Sequence, residues 1–198
     1  ELVELQNKNI FDRLESFATW LAKITLFVVI VLTGVLVITV LTGVFFRYIV
    51  RSSLSWTEEL ARYLMIWAAL LAVSVGIKDK EHVGIQLLIR QFPPLVTKII
   101  TAVVYIITIV FLYMLTAKGY QVAVKGQRQL SLALNISMYW PLMSIPVSGT
   151  LAIIQQLIQL IMIFKPGMEV SQILGETEVD EALREVKGVQ IETEKGRE

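Results

Sequence analysis

The sequence predicts an all-α integral membrane protein with four transmembrane helices and amphipathic interfacial segments at the N-terminus and between the second and third helices. Three observations carry that prediction. The chain is 55% hydrophobic and only 18% charged, against roughly a quarter charged in an ordinary soluble domain. Its apolar residues gather into stretches near the length that a helix needs, at about 1.5 Å per residue, to cross about 30 Å of hydrocarbon. Lys and Arg bracket those stretches, as Lys23 and Arg47 do the first and Lys98 and Lys118 the third.

Residues 1–23 form an N-terminal lead-in. Ile10, Leu14, Phe17 and Leu21 recur at spacings of three and four, which gives an amphipathic helix continuous with the first span. The segment mixes acids, bases and polar residues and lacks the pattern of a cleaved secretory signal, so the first apolar stretch is expected to be retained. Trp20 is an interfacial anchor at its end.

The transmembrane domain is expected over 24–164, with spans at about 24–46, 57–77, 99–117 and 138–164. The first span has only Thr33, Thr39 and Thr42 as polar interruptions, and the third has no charge at all. Arg62 falls within the first turns of the second, where a long cationic side chain can snorkel to the headgroups. The fourth apolar run begins near Ile136 and carries Pro141 and Pro146; the first is tolerated at a helix start, and the second should kink the helix or mark a later start. Gln155, Gln156 and Gln159 lie deeper in it, where buried amides seek partners on neighbouring helices. Gly34 and Gly43, with Thr39 and Thr42, would let another helix approach closely.

Between the second and third spans, residues 79–92 read as an interfacial helix. His82, Gln86 and Arg90 fall on one face and Ile85, Leu88 and Phe92 nearly opposite, and Pro93-Pro94 ends it. Such a segment lies in the headgroup plane. Residues 165–198 form a charged tail.

Orientation follows from the basic residues. The termini and the middle loop hold twelve Lys and Arg, and the other two loops hold six, so both termini are predicted cytoplasmic. That places the turns after the first and third spans on the outer side.

Several chemistries are disfavoured by what the chain contains. A net charge of +1 gives no electrostatic footprint for nucleic acid. No cysteine is present, which removes thiolate ligands and nucleophiles, and His82 is the only histidine, whereas bis-histidine haem ligation needs two. The first, third and fourth spans contain no carboxylate to carry a proton through a low dielectric. No catalytic residue, cofactor or metal is therefore expected, and the chain is not expected to be an enzyme.

The most specific feature is Ser55-Trp56-Thr57-Glu58-Glu59-Leu60-Ala61-Arg62. Ser55 and Glu58 have the spacing of a capping box, Glu58 and Arg62 that of an i,i+4 ion pair, and Trp56 suits the interface. A capped helix start accounts for these residues, and so does a charged surface that docks a partner. Arg47 and Arg51, one turn apart after the first span, can hold lipid phosphates or join Glu58 and Glu59 in docking.

Trp56 to Arg62, followed by Trp67 and by His82-Val83-Gly84-Ile85, resembles the small membrane subunit of tripartite ATP-independent periplasmic (TRAP) transporters, the DctQ-like family. Leu134-Asn135-Ile136-Ser137-Met138-Tyr139-Trp140, continuing to Ile145-Pro146 and Gly149, is similar to the family's entry into its fourth helix. Gln86 and Ser137 depart from the family's usual residues. The resemblance implies a scaffold subunit in the bacterial inner membrane, bracing a large elevator-type subunit that imports organic acids with a sodium gradient. Its partners would be that subunit, a periplasmic substrate-binding protein received at Arg47, Arg51, Glu58 and Glu59, and phospholipids that hold Trp20, Trp56, Trp140, His82 and Arg90. The competing readings are a stand-alone four-helix carrier, which would need a polar pocket that only the glutamine cluster offers, and a non-catalytic anchor of another complex.

Overall fold

A computed structural model describes residues 2–78 and 93–163, with side chains from residue 11 onward apart from residue 94. The expected interfacial helix at 79–92, with His82 and Arg90, and the charged tail lie outside the described residues. The described residues form five α-helices: α1 (Leu2–Phe45), α2 (Ser55–Lys78), α3 (Pro94–Lys125), α4 (Tyr139–Leu142) and α5 (Ser144–Ile163). A π-helical turn, Phe46–Val50, extends α1, and a 3-10 turn, Gly126–Arg128, extends α3. The described residues form no strand, only an isolated antiparallel bridge between Leu130 and Ser137. Among the described residues, four helical stretches are long and apolar enough to cross a membrane, Phe11–Val50, Ser55–Lys78, Leu95–Arg128 and Tyr139–Ile163.

The four long helices pack mainly in the order α1, α2, α5, α3, and the N-terminal part of α1 also reaches α5. The inner α5 is 44% buried over its most apolar window, and the outer helices α1 and α3 only 11%. Large apolar side chains such as Phe27, Ile38 and Leu41 on α1, and Ile107, Phe111 and Met114 on α3, are exposed, as helices facing lipid require.

The packed seam of α1 runs Ala18, Ala22, Thr25, Val29, Leu32, Leu36, Thr39, Gly43, Phe46, alternating steps of four and three. That 3.5-residue period keeps one stripe against a neighbouring helix along its whole length. Small residues carry much of it, because without a hydrophobic drive between helices in lipid, association rests on close packing. Phe17 turns away from this seam and stacks on Trp20, ring centroids 6.2 Å apart. The packed face of the lead-in is therefore marked by Leu14 and Ala18, which meet Ile158 and Met162 of α5. A second cluster, Ile77, Leu112 and Ala152, joins α2, α3 and α5.

The prolines divide the fourth span. Pro141 lies in the short α4, the helix breaks at Met143, and α5 begins at Ser144 with Pro146 in its first turn. There its missing N–H removes no intrahelical bond. The seam between α3 and α5 is close: a Cβ on Gly149 would lie 2.2 Å from Thr116 Oγ1, and one on Gly119 2.4 Å from Ile145 Cγ2.

Candidate functional site

Two polar arrangements connect the helices, one near each end of the row. At the end where α1 finishes, the π turn widens the last coil and Arg51 reverses the chain with φ 59°, its N–H bonding back to the Phe46 carbonyl. The Ser52 N–H reaches the same carbonyl at 3.1 Å. The chain then enters α2 close against α1. A Cβ on Gly43 would sit 2.7 Å from Thr57 Oγ1, so the absence of a side chain there sets the approach of the two helices. Thr57 is buried, and its hydroxyl donates to the Leu54 carbonyl at 2.7 Å.

This approach decides the ion pair. The Arg47 guanidinium meets the Glu58 carboxylate across the turn, in place of the Glu58–Arg62 pair that same-helix spacing suggests. Arg62 is exposed and makes no salt bridge among the described residues. The cause is the overrun of α1 beyond the start of α2, which brings a guanidinium beside the first turn of α2. Both partners are more than half exposed, so the pair contributes little stability, under about 1 kcal/mol. At this helix start the engaged hydroxyl is that of Thr57; Ser55 is exposed.

Glu59 behaves differently from its neighbour. Its Oε2 accepts hydrogen bonds from the backbone N–H groups of Ala133 at 2.8 Å and Leu134 at 2.9 Å. The Tyr63 hydroxyl donates to its Oε1 at 2.6 Å and lies 3.3 Å from Met138 Sδ. One carboxylate thus fastens the turn between α3 and α4 to the first turns of α2. That turn is further closed by Ser131 N–H to the Ile136 carbonyl at 2.8 Å, Met138 N–H to the Gln129 carbonyl at 2.9 Å and Ser137 Oγ to the Gln127 carbonyl at 3.1 Å. Asn135, at φ 54°, supplies its left-handed residue, a conformation Asn tolerates.

Toward the opposite end, amides join α5 to both α1 and α2. Gln155 Nε2 donates to the Ala18 carbonyl, and Gln159 Nε2 to the Lys78 carbonyl, each at 3.0 Å. Lys78 is the last described residue of α2, so this amide reaches the far end of that helix as described.

Of the residues singled out from sequence, Arg47, Arg51, Glu58 and Glu59 lie at one end of the row. Arg47 and Glu58 are joined, Arg51 is exposed, and Glu59 binds the protein's own backbone. Trp20, Trp56 and Trp140 are all exposed. Trp20 and Phe45 are separated by 25 residues of one helix, about 37 Å, which spaces the aromatic positions as the two faces of a bilayer are spaced. Gly34, unlike Gly43, has nothing within 4 Å of where a Cβ would be. Sequence reading missed Tyr63 and the amides of Ala133 and Leu134; no motif marks a carboxylate that binds backbone more than 70 residues away. Among the described residues no group of three or more His, Asp and Glu lies close enough to hold a metal ion.

Comparison with known proteins gives a consistent result. The family model for the DctQ component of tripartite ATP-independent periplasmic transporters matches residues 36–165. A Haemophilus influenzae protein with the provisional name TRAP transporter small permease protein is 32% identical over 81 residues, 41% of this chain and 50% of that protein. The sialic acid TRAP transporter permease protein SiaT of Haemophilus influenzae is 28% identical over 132 residues, 67% of this chain and 20% of SiaT. The sialic acid TRAP transporter small permease protein SiaQ of Vibrio cholerae is 27% identical over 125 residues, 63% of this chain and 72% of SiaQ. The matches thus span half of the first relative and a fifth of the second.

Proposed function

The chain belongs to the family of DctQ components of tripartite ATP-independent periplasmic transporters, and from that premise we propose that it is the small membrane subunit that braces a large transporting subunit. The transporter would import an organic acid with a sodium gradient across the bacterial inner membrane. The names of two relatives support an acidic substrate, since sialic acid, the compound they name, is a carboxylated sugar. Both termini would face the cytoplasm, and the Arg47, Arg51 and Glu58 end would face the periplasm and receive the substrate-binding protein.

One observation carries this reading. Among the described residues, the buried polar side chains other than tyrosine are all uncharged Thr, Ser and Gln, and the amides of Gln155 and Gln159 bond to the backbones of other helices. Moving an ionised solute or coupling ion across a low-dielectric interior calls for groups that compensate its charge. A row of helices tied together by neutral hydrogen bonds is instead suited to hold its shape beside a moving neighbour. Exposed tryptophans at separate levels resist tilt and fix its depth.

The test is affinity purification in mild detergent followed by reconstitution. The expected result is a large multispanning subunit in stoichiometric amount, and uptake that requires that subunit and a soluble binding protein. Recovery of a homo-oligomer alone, or transport by this chain alone, overturns the proposal.

A further inference from the structure

The turn between α3 and α4 presents an apolar surface in an unusual place. Leu132 at its tip is fully exposed, at 103%, and Leu130, Ile136 and Trp140 are exposed around it at 61%, 39% and 65%. The side chain of Ser131 is buried instead. The turn is not slack. Glu59 holds two of its amides, and two backbone bonds close it, so its leucines are presented outward by a fixed frame.

Depth and charge identify what covers them. Glu59 lies four residues into α2 and Tyr63 eight residues into it, about 6 Å and about 12 Å from the helix start. The Ala133 and Leu134 amides and Met138 meet those two side chains, so the turn lies alongside the first turns of a membrane-crossing helix and not above them. No charged residue occurs between Arg128 and Lys165, and Arg128 immediately precedes the turn. An uncharged, Leu- and Trp-bearing surface at that level, flanked by a cation, matches the boundary between phosphate headgroups and acyl chains. We propose that residues 129–140 form a shallow membrane anchor in which Leu130, Leu132, Ile136 and Trp140 seat among phospholipids of the leaflet at this end of the protein. The anchor and the transmembrane row then resist tilt together, because the Glu59 carboxylate couples one to the other.

The chain contains no cysteine, so a single introduced thiol labels cleanly. Leu132→Cys, carrying a bimane fluorophore, is purified from native membranes with whatever subunits accompany it and reconstituted into phosphatidylethanolamine and phosphatidylglycerol vesicles. Ser53→Cys, in the exposed turn before α2, gives the aqueous reference. The expected result is roughly twofold or greater quenching at Leu132→Cys by lipid carrying a nitroxide near the top of its acyl chain, as for a group 5–10 Å into the boundary, with little quenching by iodide. Strong iodide quenching, equal to the reference, shows that the tip is in water and overturns the proposal. Protection from both quenchers shows that a protein covers it and overturns it equally. Should Leu132→Cys fail to assemble, Leu130→Cys provides the same measurement with the same three outcomes.

Discussion

Gln159 of α5 donates its side-chain amide to the main-chain carbonyl of Lys78, the last described residue of α2, at 3.0 Å. With Gln155 on the Ala18 carbonyl, this makes α5 the helix to which α1 and α2 are tied. Each interhelical hydrogen bond of this kind contributes about 0.6–2 kcal/mol in a membrane. Gln159→Leu and Gln155→Leu keep much of the volume and remove the donor, so each is expected to lower thermal stability in detergent by that order. Thermal unfolding followed by size-exclusion chromatography measures it, and an unchanged midpoint for both variants would show that the amides do not hold the row together.

The two glycines of α1 separate packing from propensity. Gly43→Ala places a methyl 2.7 Å from Thr57 Oγ1, and such overpacking costs about 1–3 kcal/mol. Gly34→Ala meets open space and gains helix propensity of about 0.8–1 kcal/mol. The first is expected to destabilise and the second to stabilise, in the same unfolding assay. Thr57→Ala should recover part of the loss at Gly43→Ala, because the clashing hydroxyl is removed.

Adjacent carboxylates should respond unequally to removal. Glu58→Ala breaks an exposed ion pair and is expected to change stability by under about 1 kcal/mol. Glu59→Ala leaves two backbone amides and the Tyr63 hydroxyl without their acceptor. Hydrogen exchange resolves the difference: exchange at Ala133 and Leu134 should quicken by about an order of magnitude in Glu59→Ala and remain near the parent rate in Glu58→Ala. Equal rates in the two variants would contradict the fastening role of Glu59.

The docking proposal is read through charge. Because Arg47 and Glu58 neutralise each other, Arg51 is the exposed cation of this turn whose reversal most changes the local field. Arg51→Glu is expected to reduce uptake in whole vesicles several-fold at low salt and less at high salt, where screening already weakens steering. The exchange of Arg47 for Glu with Glu58 for Arg keeps the pair and should keep assembly. Uptake indifferent to reversal at Arg51, Arg47 and Glu58 together would remove the docking role and leave the bracing role standing.

Much of the architecture was legible in the residues. Lys23 and Arg47 bounded an apolar stretch of membrane length, Pro146 announced the start of α5, and the glutamines of α5 demanded partners. The apolar stripe of the lead-in does not by itself say which of its members meets another helix. Leu14 packs against the cluster that Ala18 forms with α5, and Phe17 faces outward beside Trp20. A hydrophobicity pattern weights large side chains, while helices in lipid approach through small ones, so the pattern and the packing diverge where alanine forms the seam.

By itself, the order of residues determined that this is a four-span membrane chain, since hydrocarbon excludes charge and unsatisfied backbone and so writes the length and number of spans into composition. Only the tertiary structure decided that Glu58 pairs with Arg47 and not Arg62, that Glu59 grips a turn more than 70 residues away, and that Gln155 and Gln159 reach Ala18 and Lys78. Helical periodicity specifies which side chains share a face of one helix. Which residues of two helices meet depends on how closely their backbones approach, and here that is set by contacts such as Gly43 against Thr57, a relation no single stretch of sequence contains.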